Sequence, residues 1–389
     1  MRLDEMQQAL REQRLDGWLF FDYHRRDPLA YRVLGLTTAV IPTRRWYYLV
    51  PAEGEPRKLV HRIEAGVIDE LPGRKLIYSS WSGLIDGLTR LLGGCRRLAM
   101  QYSPKCAIPA ISMADAGTVE AVRSLGVEVA SSADLIQHFE ARWDEDKLAS
   151  HLEAGGRVDA IRREAFEYTA RQLRGGAEVT EWEVKQFILA QFKQHGLVTD
   201  HGPIVAVNEN AANPHYEPTE RDSRRIQRGD LLLIDLWAKL DQPRSVFYDI
   251  TWTGFCGAQP PAEIERVFRV VREARNRVIQ RVQAAVSRRE PLHGFEVDDA
   301  ARDYIKAEGF GDCFVHRTGH SIGEEVHGAG ANMDNLETHD ERLVIPWTCF
   351  SIEPGIYLKS FGIRSEVNVF VGDGQARVTG EIQEELVLV

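Results

Sequence analysis

Leu231-Leu232-Leu233-Ile234-Asp235-Leu236-Trp237 is the stretch on which the reading of this chain turns. Six of its seven residues are apolar and do not alternate, the mark of a strand buried on both faces. Asp235 interrupts it. A carboxylate buried without a partner is costly, so an acid at this position calls for a cation or a cluster of donors. Working outward, Pro203-Ile204-Val205-Ala206-Val207 and Asp249-Ile250-Thr251-Trp252-Thr253 read as neighbouring strands. Phe350-Ser351-Ile352-Glu353 and Ser365-Glu366-Val367-Asn368-Val369 follow later. Asp249 opens one of these strands, and Glu353 and Glu366 sit inside two others.

Taken alone, each acid reads as a strand end, a solvated residue or half of a salt bridge. Four in apolar strand settings are harder to set aside. Asp235 and Asp249 lie 14 residues apart, and Glu353 and Glu366 lie 13 apart. Adjacent strands joined by a loop would bring each pair together, and a quasi-symmetric bowl would gather all four at its floor. His320 supplies a nitrogen from His316-Arg317-Thr318-Gly319-His320-Ser321-Ile322-Gly323, where glycines permit a tight turn and close backbone approach. Four carboxylates and an imidazole favour manganese, iron, cobalt or zinc over softer ions. Their charge exceeds that of one divalent ion, and two ions ~3.5–4 Å apart suit it better.

The surrounding sequence reads as an α+β domain over residues 143–389. The charged segment Arg142-Trp143-Asp144-Glu145-Asp146 opens a long helical region, interrupted at Gly155-Gly156 and ended by Gly175-Gly176. Thr180-Glu181-Trp182-Glu183 fits a capping box that starts a helix running to about His195. From Ala262 to Ala285, Ile264, Val267, Phe268, Val271, Ala274, Val278 and Val282 recur at helical steps. Residues 1–142 read as a smaller α/β domain. It has helices near 3–15 and 112–125, strands near 18–21, 45–50, 97–100 and 127–129, and no catalytic constellation.

At 389 residues the chain suits two domains. A net charge of −10 argues against a nucleic-acid or anionic-membrane partner. No run approaches the ~18 apolar residues of a membrane span, and no apolar signal segment follows the N-terminus. The five scattered cysteines suggest neither a disulfide framework nor a thiolate metal site. The cytoplasm is the expected location.

Asp235, Asp249, His320, Glu353 (in Ile-Glu-Pro-Gly-Ile-Tyr) and Glu366, in that order, resemble the ligand set of the pita-bread metallopeptidases, which include aminopeptidase P, prolidase and methionine aminopeptidase. Asn213-Pro214-His215-Tyr216, Glu325-Val326-His327 and Ile363-Arg364-x-Glu366 fit the same pattern. The first 142 residues resemble the extra domain of aminopeptidase P, prolidase and creatinase. The resemblance implies a pita-bread catalytic domain behind a creatinase-like one, two divalent ions with manganese foremost and cobalt, zinc or iron as alternatives, and a homodimer. It implies a peptide substrate with proline at its second position. Asp235 and Asp249 would bind one ion, and Asp249, His320, Glu353 and Glu366 the other. A metal-activated hydroxide would attack, with Glu353 as general base. His327 and His215 would donate to the substrate carbonyl, and Arg364 would orient Glu366.

The expected activity is release of an N-terminal residue that precedes proline. The rivals are a dipeptidase of prolidase type, a creatinase-like hydrolase or lyase, and a binding-only relative. Three features depart from the family pattern: a longer connection from Asp235 to Asp249, Gly328 after His327, and a polar insert over residues 332–342, read as a solvated loop or, as the alternative, a segment that overhangs the site and narrows substrate choice. His24, His61, His138, His151 and His293 read as surface residues.

Overall fold

The computed structural model describes residues 2–37 and 41–389. The chain divides into two compact units, Met1–Glu140 and Ala141–Val389.

The first unit contains helices α1 (Leu3–Glu12), α2 (Pro28–Leu34), α3 (Trp81–Leu91), α4 (Ala116–Ser124) and α5 (Ala133–Ile136). Its sheet is built from β1 (Gly17–Asp22), β2 (Trp46–Pro51), β3 (Arg57–His61), β4 (Arg74–Tyr78), β5 (Arg97–Met100) and β6 (Glu128–Ser131), in the order β4-β3-β2-β1-β5-β6. The inner strands β1 and β2 are buried along their whole length, which explains their unbroken apolar sequences. β4 lies at the edge with Arg74 and Ile77 exposed, so no clean apolar pattern marks it in the sequence.

The second unit contains α6 (Glu145–Gly175), α7 (Glu181–Gln194), α8 (Ala262–Arg288) and α9 (Gly294–Ala307). Asp144 caps α6 by accepting from the Lys147 N–H at 2.9 Å. The helix runs unbroken through Gly155-Gly156, contrary to the interruption expected there. The reason is packing: a Cβ at Gly155 would come within 2.8 Å of the Tyr248 ring, so this glycine allows close approach and does not end the helix. Thr180 and Glu183 form the expected capping box at α7.

The strands are β7 (Leu197–Val198), β8 (Ile204–Val207), β9 (Leu231–Leu240), β10 (Tyr248–Phe255), β11 (Ser321–Ile322), β12 (Thr348–Ile352), β13 (Gly355–Tyr357), β14 (Gly362–Arg364), β15 (Val367–Val371), β16 (Ala376–Val378) and β17 (Val387–Leu388). One sheet has the order β17-β10-β9-β7, with β8 also on β9, and a second has the order β11-β12-β15-β16. β13 and β14 pair separately. Val158 and Ile161 of α6 and Val184 and Ile188 of α7 join Ile234, Leu236 and Ile250 in one core. Val271 and Val278 of α8 and Val297 and Ala301 of α9 join Ile352, Val367 and Val369 in another. Each half is thus a sheet backed by two helices. The halves meet along β10 and β15, where the Asp249 N–H donates to Asn368 Oδ1 and the Glu366 N–H donates to Thr251 O, both at 3.0 Å.

This register positions the acids. Asp235 faces Thr251 across the β9–β10 ladder and Asp249 faces Trp237, so the aspartates share one face on a diagonal. Ile352 pairs with Val367, and Glu353 and Glu366 continue that register by one step. They therefore lie in breaks between short strands, Glu353 before β13 and Glu366 after β14, and not inside strands as the sequence suggests.

His151 overturns its reading as a surface residue. It is wholly buried on α6, with Nδ1 donating to Phe247 O at 2.6 Å and Nε2 2.7 Å from Thr379 Oγ1. Burial pushes its pKa down to about 4. The unfolded chain takes up a proton below about pH 6.5, whereas the folded one holds the ring neutral down to about 4. This part of the stability is complete above pH 6.5 and is lost as pH falls through that window, by up to roughly 3 kcal/mol. Urea unfolding between pH 7.5 and 4.5 should show this loss, and His151→Gln should flatten the slope. An unchanged slope in the variant would remove His151 from the account.

Candidate metal centre

Asp235, Asp249, His320, Glu353 and Glu366 line one cavity of about 630 Å³, together with His215, His327 and Arg364. Asp235, Asp249, His320 and Glu366 are buried, and Glu353 is nearly so. His320 reaches the cavity because Gly319 lets the chain press against β12: a Cβ there would lie 1.9 Å from Ser351 O. The Ser351 hydroxyl lies 3.0 Å from the His320 N–H and 3.2 Å from Glu353 Oε1, accepting from the first and donating to the second.

The His320 ring has one orientation available. Its Nδ1 lies 3.3 Å from Ser321 O, which can only accept, so Nδ1 carries the proton. Burial lowers the pKa of this imidazole, which favours the neutral ring, and Nε2 then turns its lone pair to the carboxylates, 3.5 Å from Asp249 Oδ2 and 3.4 Å from Glu353 Oε1. Donor atoms of Asp249, His320 and Glu366 all lie within 4.8 Å of one another. Among the described residues, Asp235 Oδ1, Asp249 Oδ1 and Glu366 Oε1 are buried with no hydrogen-bond partner. Burial, and then the charge of neighbouring acids, holds the carboxyls of Asp249 and Glu366 well above the usual carboxylate range. Burial raises Glu353 as well. Lone pairs converging from carboxylates and a neutral imidazole fit divalent cations, which would satisfy the unpartnered oxygens and restore the acids to their charged form.

Among the described residues Arg364 is the guanidinium that bonds to this group, and its contacts differ from expectation. Its Nη2 donates to Asp235 Oδ2 and its Nε to Thr251 Oγ1 at 3.0 Å. The Thr251 hydroxyl in turn donates to Glu366 Oε2 at 2.8 Å. Arg364 therefore orients Asp235 directly and reaches Glu366 only through Thr251, because its fork points across to β9 and not back along its own strand. Its Nη1 donates to Tyr357 OH at 2.9 Å, which lies 2.7 Å from His316 Nε2.

His327 stacks edge-on to His320, with centroids 4.4 Å apart. Burial pushes its pKa down to about 3. It is thus neutral at physiological pH and retains an N–H to donate. His215 also faces the cavity, from an exposed loop.

Thr251, Tyr357 and His316 escape the sequence reading, although Tyr357 and His316 belong to the stretches that flag Glu353 and His320. The signal for Thr251 is its register opposite Asp235, which needs the ladder to be known. The insert over residues 332–342 is not simply solvated. Asp334 is buried and accepts from the N–H groups of Leu336, Glu337 and Thr338, and buried Asp340 pairs with Arg342 at 2.6 Å. These anchors hold the loop so that Glu337 lines the cavity.

Helix-backed sheets closing over a carboxylate-rich pocket define the pita-bread class of metallopeptidase folds. The chain belongs to metallopeptidase family M24, whose profile matches residues 151–373. It is similar to an Xaa-Pro dipeptidase of Lactobacillus delbrueckii subsp. lactis, 32% identical over 266 residues, which make up 66% of this chain and 64% of that one. The chain thus spans less than two thirds of that relative's length. In fold it resembles the dipeptidase PepE of Mycobacterium ulcerans, with TM-score 0.73 and 23% identity over 100% of this chain and 97% of that one. It also resembles an X-prolyl aminopeptidase of Caenorhabditis elegans, described as a cytosolic enzyme with a di-nuclear active site, with TM-score 0.67 and 18% identity over 100% of this chain and 63% of that one. Among the described residues no helix is long and apolar enough to cross a membrane.

Replacing Arg364 by Met should lower the stability of chelator-treated protein by roughly 3 kcal/mol, since it leaves Asp235 buried and unpaired. Urea unfolding in excess chelator measures this. A change below about 1 kcal/mol would mean that the Asp235–Arg364 pair is not needed.

Proposed function

We propose that this protein is a metal-dependent exopeptidase that hydrolyses the bond between an N-terminal residue and a following proline. The observation that carries the reading is the crowding of buried acids on one cavity floor: Asp249 Oδ2 and Glu353 Oε1 lie beside His320 Nε2, and Asp235 Oδ1, Asp249 Oδ1 and Glu366 Oε1 have no hydrogen-bond partner among the described residues. Asp235 and Asp249 would hold one divalent ion, and Asp249, His320, Glu353 and Glu366 a second. Manganese is the proposed ion, with cobalt, zinc or iron as alternatives. Such ions supply Lewis-acid polarisation of the scissile carbonyl and make water acidic enough to attack near neutral pH.

The chain's own residues do the rest. Glu353, steadied by Ser351, takes the proton from the attacking water and passes it to the departing proline nitrogen. His327, held neutral, donates to the carbonyl oxygen as negative charge builds on it, and His215 assists from the opposite loop. Arg364 keeps Asp235 in one rotamer. The family resemblance supports a homodimer, and the likeness in fold to an X-prolyl aminopeptidase described as cytosolic supports a cytoplasmic location.

An Xaa-Pro dipeptidase is the second reading, favoured by the name of the matched Lactobacillus protein. Rates on Xaa-Pro and on Xaa-Pro-Xaa peptides separate the two, and the aminopeptidase reading requires the longer peptide to be cleaved. Asp249→Ala and His320→Ala should lose bound metal and activity together. Either variant retaining full activity would show the ligands to be misassigned. Glu353→Gln should lower kcat by at least ~10²-fold while the fold is kept. Metal-free protein that manganese, cobalt, zinc and iron all fail to activate would defeat the hydrolase reading.

A further inference from the structure

His215 is carried by a segment with little regular structure. After the 3-10 turn Asn208–Asn210, residues 211–230 form neither helix nor strand before β9 begins. Outside an isolated bridge of Arg225 to Thr180 and the Lys185 ammonium that donates to Glu217 Oε1 and Pro218 O, little regular structure holds the imidazole in place, yet a hydrogen-bond donor in catalysis must be held within a fraction of an ångström. Something else has to fix this loop.

We propose that Glu181 is the positioning residue for the His215 loop, a role that rests on the reading of His215 given above. Glu181 is the first residue of α7 and is wholly buried. Its Oε1 accepts from the Val207 N–H at 2.7 Å and from Asn210 Nδ2 at 3.0 Å. Its Oε2 accepts from Tyr216 OH at 2.7 Å, the Arg224 N–H at 2.7 Å and Asn210 Nδ2 at 3.0 Å. One carboxylate thus gathers a backbone amide and the Asn210 side chain just before the loop, the Tyr216 side chain within it and the Arg224 amide toward its end. Tyr216 is the neighbour of His215 in sequence, so this bond acts one residue from the imidazole.

Helix capping does not explain the arrangement. Thr180 and Glu183 already form the capping box of α7. The helix dipole favours an acid in the first turn, but at a solvated surface position it asks for nothing more. It accounts neither for complete burial nor for donors converging from residues 207–224. A carboxylate is the side chain that meets them all, because it accepts at every lone pair and donates none. An amide there would turn an NH₂ group toward N–H donors.

The test is a double-mutant cycle on the metal-loaded full-length enzyme, with an Xaa-Pro peptide as substrate. His215→Ala should lower kcat/KM about a hundredfold. Glu181→Gln should lower it about tenfold through kcat, with metal content near that of the unaltered enzyme. The double variant should be no worse than His215→Ala, because Glu181 acts through His215. Multiplying losses in the double variant would overturn the proposal, as would full activity in Glu181→Gln. If that variant does not fold, Tyr216→Phe replaces it in the same cycle, because it removes one donor beside His215 and adds none. Hydrogen exchange separates this proposal from the reading beneath it: amides of residues 208–224 should exchange faster in Glu181→Gln whatever His215 does. Unchanged exchange would refute the positioning role, whereas full activity in His215→Ala alone would refute the role given to His215.

Discussion

Negative charge brought out of water is the constraint that organises the second unit. Asp235, Asp249, Glu353 and Glu366 share one floor, and among the described residues a single guanidinium, Arg364, bonds to them. Left to themselves the acids would take up protons, and burial and mutual repulsion do push Asp249 and Glu366 in that direction. Much of the nearby architecture keeps these groups from escaping. Thr251 fixes one oxygen of Glu366, Ser351 steadies Glu353, and Nδ1 of His320 is committed to a carbonyl so that its other nitrogen must face inward. The apolar cores behind each sheet supply the stiffness that such crowding requires.

The outer part of the cavity is built differently. His215 and Glu337 come from loops, and each loop is disciplined by a buried acid that spends its lone pairs on backbone amides. Glu181 does this for the segment before β9, and Asp334 does it for the polar insert. The two carboxylates solve the same problem, since a segment without a ladder still needs its N–H groups satisfied and its conformation fixed. The buried acids around the cavity thus fall into two populations with opposite demands. On the floor, one oxygen each of Asp235, Asp249 and Glu366 has no hydrogen-bond partner among the described residues, whereas behind the loops Glu181 and Asp334 accept at both oxygens.

This division explains what could be read from the sequence. The floor acids interrupt apolar runs, so Asp235 and Asp249 stand out at once, and the spacings within the pairs Asp235–Asp249 and Glu353–Glu366 suggest how they meet. The Thr180–Glu183 capping box and the stripe along α8 are equally plain, because local geometry dictates both. Other features have no local signature. Arg364 lies two residues from Glu366, which suggests a contact with it, but the guanidinium crosses to Asp235 on another strand. Gly155-Gly156 reads as a helix break, yet Gly155 is small because the Tyr248 ring lies against it. His151 sits in a charged stretch and is nonetheless buried against Phe247 and Thr379. In each case the deciding partner lies roughly a hundred residues or more away along the chain.

The seam between β10 and β15 has a consequence for how the polypeptide reaches its native state. Asp249 and Asn368 exchange hydrogen bonds across 119 residues, and Thr251 joins Glu366 across 115. Contacts of such large sequence separation form late, because the entropy of closing long loops must be overcome before they contribute. Each sheet-and-helix half can collapse around its own apolar residues first, holding two of the four acids while they remain hydrated. The full concentration of like charge arises only when the seam closes, so the docking step carries the electrostatic penalty and cations in the medium would speed it.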